Sequence, residues 1–115
     1  MTLKIILAGS RDFNDYSLLC YTLDDLRKPF EVVCGEARGA DTLGKRYAIQ
    51  HGLAVHSFPA DWAKLGKSAG HVRNAQMAEF ADGLVAFWDG QSKGTAGMIR
   101  LAERRGLKVK VVRYT

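Results

Sequence analysis

The sequence holds only two prolines and two cysteines, and no stretch is Pro/Ser-rich or of low complexity. Those shortages exclude an extended linker and a disulfide-stapled scaffold. No apolar run approaches bilayer length, residues 5–8 forming one of the longest. The opening Met-Thr-Leu-Lys leads straight into a strand-like run, without the apolar core and small-residue cleavage site of a signal peptide. A cytoplasmic protein is therefore expected. His51, His56 and His71 are scattered, and no Cys/His cluster has metal-ligand spacing, so neither metal nor cofactor is expected. Cys20 and Cys34 read as buried thiols. There is no internal repeat and no Lys/Arg-rich tail. Lys and Arg number 17 against 12 Asp and Glu, a net charge of +5. That balance favours an anionic partner without requiring a polymer.

What is present is an ordinary globular composition, 47% hydrophobic and 25% charged, over 115 residues, the length of one domain spanning 1–115. Five apolar runs stand out, at 3–8, 30–34, 53–58, 83–88 and 107–114. The first, second and fourth are nearly continuous, as in parallel strands covered on both faces. The last alternates and suits an edge strand. Helical stripes lie between them. Tyr16, Leu19, Cys20, Leu23 and Leu26 form the first, with Asn14 or Asp15 as N-cap and Pro29 beyond its end. Ala40, Leu43 and Tyr47 form the second, ending near Gly52. Arg73, Met77, Phe80 and Ala81 form the third. Thr95, Met98, Ile99 and Ala102 form the fourth, with Gly106 as C-cap. The alternation βαβαβαβαβ predicts an α/β sandwich with a five-stranded, mainly parallel sheet and right-handed crossovers. Ligands in such sheets bind beyond the carboxyl ends of the strands.

Four polar, glycine-bearing turns fall at those ends: Gly9-Ser10-Arg11-Asp12, Gly35 to Asp41, Gly70 to Asn74, and Asp89 to Thr95. Glycine lets backbone approach a ligand, and helix N-termini offer N–H groups and partial positive charge. Arg11, Arg38, Arg73 and Lys93 add full charges. An anion meeting two helix ends and one arginine gains about 3–5 kcal/mol before ordering costs. One such turn alone is usually a tight connection, and Ser10, Asp41 and Thr95 read equally as caps; the set of four points to phosphate binding. Arg73, four residues before Met77, is expected to reach over the strand ends, the alternative being a helix-face arginine paired with an acid. Asn74 orients a ligand hydroxyl or caps a loop. Trp62, in the 59–68 loop beside Lys64 and Lys67, stacks a base or, the plainer reading, plugs the core edge. Trp88 reads as core, and Asp89 as the acceptor for ribose hydroxyls. The candidate ligand-binding set is Gly9, Ser10, Arg11, Gly35, Arg38, Gly39, Asp41, Arg73, Asn74, Asp89, Gly90, Lys93, Gly94 and Thr95.

Standard fingerprints are missing. Gly9-Ser10-Arg11-Asp12 is not G-x-G-x-x-G, and Lys93-Gly94-Thr95 is not the Gly-Lys-Ser/Thr of a P-loop. No Ser/His/Asp order resembles a nucleophile elbow.

Gly-Ser-Arg-Asp-Phe13, Gly35-x-Ala-Arg-Gly-Ala-Asp41, Gly70-x-x-Arg-Asn-x-x-Met77 and Phe87-Trp-Asp-Gly-x-Ser-Lys-Gly-Thr95 together resemble the YspA-related branch of the SLOG superfamily, which joins the Smf/DprA and LOG families. The resemblance covers residues 3 to about 112. It implies a Rossmann-like three-layer fold, a bacterial or phage source, and binding or sensing of a nucleotide-derived, phosphate-bearing ligand such as a nucleoside monophosphate or an ADP-ribose-like molecule. LOG relatives are nucleotide N-glycosidases (phosphoribohydrolases) with P-G-G-x-G-T-x-x-E, whose glutamate is catalytic. Arg73 resembles their helix arginine and Gly94-Thr95 their Gly-Thr pair, but Met98 stands at the glutamate position. N-glycosidic cleavage needs a carboxylate; Asp12, Glu36, Asp41 and Asp89 remain, and Asp89, with Arg73, is the catalytic candidate. The DprA branch suggests a third reading, a single-stranded nucleic-acid binder, although no aromatic ladder is visible. Homo-oligomerisation is expected from the small size and the apolar first helix.

Overall fold

The computed structural model of the protein describes residues 2–35 and 39–114. Its strands are β1 (Leu3–Gly9), β2 (Phe30–Cys34), β3 (Val55–Ser57), β4 (Gly83–Trp88) and β5 (Lys108–Arg113). Its helices are α1 (Tyr16–Asp24), α2 (Ala40–His51), a single turn α3 (Trp62–Leu65), α4 (Ala69–Phe80) and α5 (Lys93–Arg104). The sheet order is β3-β2-β1-β4-β5 and every neighbouring pair is parallel. The architecture is the expected Rossmann-like α/β sandwich, with β5 at an edge.

Two cores explain the near-continuous apolar strands. Leu7, Val32, Val85 and Phe87 point to one face, under α1 and α2, where Leu19, Leu23, Tyr47 and Ala48 meet them. Ile6, Val33, Leu84 and Ala86 point to the other, against Met77 and Ala78 of α4 and Met98, Ile99 and Ala102 of α5. Successive strand residues face opposite sides, so a strand buried on both faces has no position left for a polar residue. Each fully buried aliphatic side chain contributes about 1.5–3 kcal/mol. The stripe Thr95, Met98, Ile99 and Ala102 is buried throughout, as helical spacing requires. Asp15 caps α1, its carboxylate accepting the Leu18 N–H at 3.0 Å. Both cysteines are free thiols, Cys34 buried and Cys20 partly so. Among the described residues no helix is long and apolar enough to cross a membrane.

Three boundaries differ from the sequence expectation. β3 is shorter than the apolar run, because the Leu53 N–H closes α2 by bonding the Ala48 carbonyl, leaving fewer residues for pairing. α4 starts at Ala69, so Arg73 lies one turn inside the helix rather than at its start. The 59–68 segment is not a plain loop: Asp61 caps α3 through the Lys64 N–H, and a 3-10 turn (Gly66–Ser68) leads into α4.

Candidate functional site

Strand order reverses between β1 and β4: the chain leaves β1 toward β2 and β3, then crosses back to β4. The carboxyl ends of these strands therefore open between diverging connections, the place where α/β sheets hold ligands. A cleft of about 910 Å³ lies there, reaching between α4 and α5, within the size range of ligand sites.

Gly9 ends β1 in contact with the next layer. A Cβ there would stand 2.6 Å from the Phe87 carbonyl oxygen and 2.8 Å from Ala40 Cβ. Glycine thus lets β1, β4 and the start of α2 converge. Gly39, with φ 82°, precedes α2 and packs against the Ser10 and Arg11 backbone. The Asp41 carboxylate, buried at the start of α2, accepts the Gly35 N–H at 2.9 Å and so ties α2 to the end of β2.

Arg73 reaches across from α4. Its Nη1 donates to the Gly35 carbonyl at 2.6 Å and its Nε to Asn74 Oδ1 at 2.8 Å. These bonds answer the sequence question about Arg73: it extends over the strand ends. Arginine carries five N–H donors, so the guanidinium keeps further donors for the cleft it lines. Asn74 thereby acts first as the acceptor that orients Arg73. On the opposite wall Ser92 caps α5, its Oγ accepting the Thr95 N–H at 3.5 Å and pairing with Thr95 Oγ1 at 3.3 Å. A Cβ on Gly94 or Gly97 would meet nothing within 4 Å, so both leave this face of α5 bare toward the cleft.

Of the expected residues, Gly9, Arg11, Gly35, Asp41, Arg73, Asn74, Gly94 and Thr95 line this one cleft. Ser10, Gly39, Asp89, Gly90 and Lys93 are not among its lining residues, and Arg38 and Glu36 lie outside the described residues. The reasons are local. Asp89 turns its carboxylate into the chain, Oδ1 accepting the Gln91 and Ser92 N–H groups at 2.8 Å each. The Ser92 and Gln91 N–H groups hold its carboxyl below the usual aspartate range. Asp89 therefore builds the turn into α5 and is not among the residues lining the cleft. Gly90, with φ 84°, backs onto the Arg113 guanidinium, which lies over the Trp88 ring. Lys93 is exposed at the first position of α5. Ser10 is buried below, its Oγ without a partner at hydrogen-bonding geometry, though near enough to Asp89 for its hydroxyl to favour the ionised form. Asp12 accepts the Tyr114 hydroxyl at 2.7 Å.

The lining reaches beyond the candidate set. Trp62 is 55% exposed and faces the cleft, so it does not plug the core edge; α3 buries none of its residues. Lys67, His71, Arg100 and Arg104 also line the cleft. Helical arithmetic carried a signal for the last of these: Arg104 is seven residues past Gly97, two turns along the same stripe. Trp88 is half-buried against the α4–α5 core and donates Nε1–H to the Ser92 carbonyl at 3.0 Å, a packing role as expected. Among the described residues no group of three or more His, Cys, Asp or Glu side chains forms a metal centre.

Comparison with known proteins places the chain in a family. The chain is 38% identical over 116 residues to the Gene 61 protein of Mycobacterium phage D29, the match covering 92% of this chain and 93% of the phage protein. No solved structure matches the chain significantly. The model of the YspA, cpYpsA-related SLOG family matches residues 3–65, which carry β1, β2 and the Gly9 and Gly35 turns. The chain belongs to the YspA, cpYpsA-related SLOG family.

Proposed function

We propose that the protein binds or senses a nucleotide-derived, phosphate-bearing ligand, a nucleoside monophosphate or an ADP-ribose-like molecule, in the cleft at the strand carboxyl ends. The observation that carries this reading is Arg73, held by Gly35 and Asn74 so that its remaining donors face the same cleft as the N-terminal turn of α5. A phosphate here meets a pre-oriented guanidinium, the partial positive charge of a helix start and the bare backbone at Gly9 and Gly94. Arg11, exposed at the rim, adds a second charge. Family membership supports a nucleotide-related ligand.

Binding is favoured over N-glycosidic cleavage. Among the described lining residues the one carboxylate is Asp41, engaged by the Gly35 N–H, and Met98 occupies the LOG glutamate position within the lining. The free thiols fit a cytoplasmic setting. The reading treats residues 1–115 as one ligand-binding domain. It includes self-association, for which Tyr21 and Ile49, strongly exposed on α1 and α2, offer apolar contact.

Calorimetric titration with the nucleoside 5′-monophosphates and with ADP-ribose tests the reading. Wild-type protein is expected to bind at least one of them, and Arg73→Ala to bind it more than tenfold more weakly. Equal affinities for wild type and variant would remove Arg73, and with it this site, from the account.

A further inference from the structure

The cleft is longer and more basic than a single phosphate requires. Arg11 and Arg73 stand at the strand ends, with Lys67 in the segment leading into α4, while Arg100 and Arg104 line the cleft further along α5. At about 1.5 Å of rise per residue, Arg100 lies about 7.5 Å and Arg104 about 13.5 Å along the helix from Thr95. Arg104 sits in the last turn, where the carbonyl end of a helix favours a cation anyway. Arg100 is a turn further in, where that effect has faded. Among the described residues neither forms an ion pair, whereas the neighbouring Arg105 pairs with Glu79 of α4 at 3.1 Å. Against these cations the described lining offers one acid, Asp41, already engaged by Gly35.

Spacing narrows the ligand. The two phosphorus atoms of a pyrophosphate share a bridging oxygen, too short a link to reach from the α5 N-terminus to Arg104, nine residues past Thr95. Two phosphates on either side of a nucleoside can. The half-exposed Trp62 ring, beside Gly70 at the start of α4, supplies an aromatic surface for a base in the same cleft.

We propose that the cleft has a second anion subsite, formed by Arg100 and Arg104, and that its ligand is a dinucleotide-sized molecule whose phosphates are separated by a nucleoside. This rests on the phosphate site proposed above and extends it. One phosphate sits at Arg73 and the α5 N-terminus, the next between Arg100 and Arg104, and a base stacks on Trp62.

The test compares the affinities of two probe pools at fixed salt: the four nucleoside 5′-monophosphates, and all 5′-phosphorylated dinucleotides. The dinucleotide pool is expected to contain a ligand bound at least tenfold more tightly than any mononucleotide. The double variant Arg100→Ala, Arg104→Ala should lose that advantage and leave mononucleotide affinity unchanged. Trp62→Ala should weaken the dinucleotide as well. Mononucleotide binding with no dinucleotide advantage, or an advantage that survives the double variant, overturns the second subsite and leaves the first intact. Affinity that keeps climbing from two to twenty nucleotides overturns the dinucleotide-sized occupant in favour of a polymer. Failure of both pools to bind at millimolar concentration removes the phosphate site itself and this inference with it.

Discussion

Arg73 Nη1 donates to the carbonyl oxygen of Gly35 at 2.6 Å, joining residues 38 positions apart in the chain. The N–H of the same glycine is held by Asp41. The end of β2 is thus gripped by α4 on one side and α2 on the other, and the guanidinium that grips it also lines the cleft.

That double duty separates charge from geometry. Replacing Arg73 by Ala leaves the buried Gly35 carbonyl without its donor, at a cost of about 1–3 kcal/mol in stability. On the proposed binding mode it also removes a charge-assisted bond to phosphate, an expected ten- to hundredfold loss in affinity, about 1.5–3 kcal/mol. Lysine keeps the charge but not the planar fork. Arg73→Lys should therefore fold nearly as well as wild type yet bind the nucleotide severalfold more weakly, read from thermal melts and calorimetry on the same samples.

Gly9 and Gly35 should respond differently to the same added methyl. At Gly9 the new Cβ meets the Phe87 carbonyl oxygen and Ala40 Cβ, neither of which can swing aside. Gly9→Ala is expected to lower stability by about 1–3 kcal/mol, the cost of overpacking, seen as a clear drop in melting temperature. At Gly35 the Cβ meets the side chain of Arg73, whose Cζ would be 2.8 Å away. A flexible side chain can move, at the cost of its hydrogen bond to the Gly35 carbonyl, so Gly35→Ala should destabilise no more than Arg73→Ala while losing nucleotide affinity. If Gly35→Ala binds nucleotide as wild type does, the cleft-side glycine is not a binding feature.

Alkali should act through Tyr47. Its ring is fully buried, its hydroxyl donates to Asp24 Oδ1 at 2.6 Å, and burial, together with that carboxylate, raises its pKa far above the usual phenol value. The folded state thus holds the proton that the unfolded chain releases near pH 10. Stability contributed by the neutral phenol is fully present below about pH 10 and is lost as pH rises beyond it. Tyr47→Phe should cost about 1 kcal/mol at neutral pH, since Asp24 stays solvated. It should also flatten the fall in stability above pH 10. An unchanged alkaline slope in denaturant titrations would show that another group governs it.

Acid should act at the start of α5. Asp89 has its pKa lowered by the Ser92 and Gln91 N–H groups, so its stabilising contribution is present above the ordinary aspartate pKa and is lost as pH falls through the lowered one. Asp89→Ala should melt below wild type at neutral pH, and the two curves should converge in acid once the wild-type carboxyl is protonated. A constant gap at all pH values would assign the effect to packing instead.

The strands at 30–34 and 83–88 were legible residue for residue, because burial on both faces forces unbroken apolar runs. The α5 stripe was legible because 3.6-residue periodicity leaves one face to pack. The positions of Gly9 and Gly35 at strand ends, and of Gly94 at the start of the following helix α5, followed from the same alternation. Parallel strands bring those ends to one edge whatever the loops contain.

Side-chain direction was decided only by packing. Asp89 and Arg73 both read as ligand contacts from their placement near strand ends, yet Asp89 Oδ1 accepts two N–H groups of its own turn. Arg73, one turn inside α4, has no local partner but Asn74 and crosses to Gly35. Likewise, whether Trp62 filled the core or faced the cleft depended on how far α3 stands from the sheet. Local spacing specifies which residues arrive at an edge. Which of them remain available there depends on hydrogen-bond partners contributed by segments far away in the chain, and only the folded arrangement supplies those.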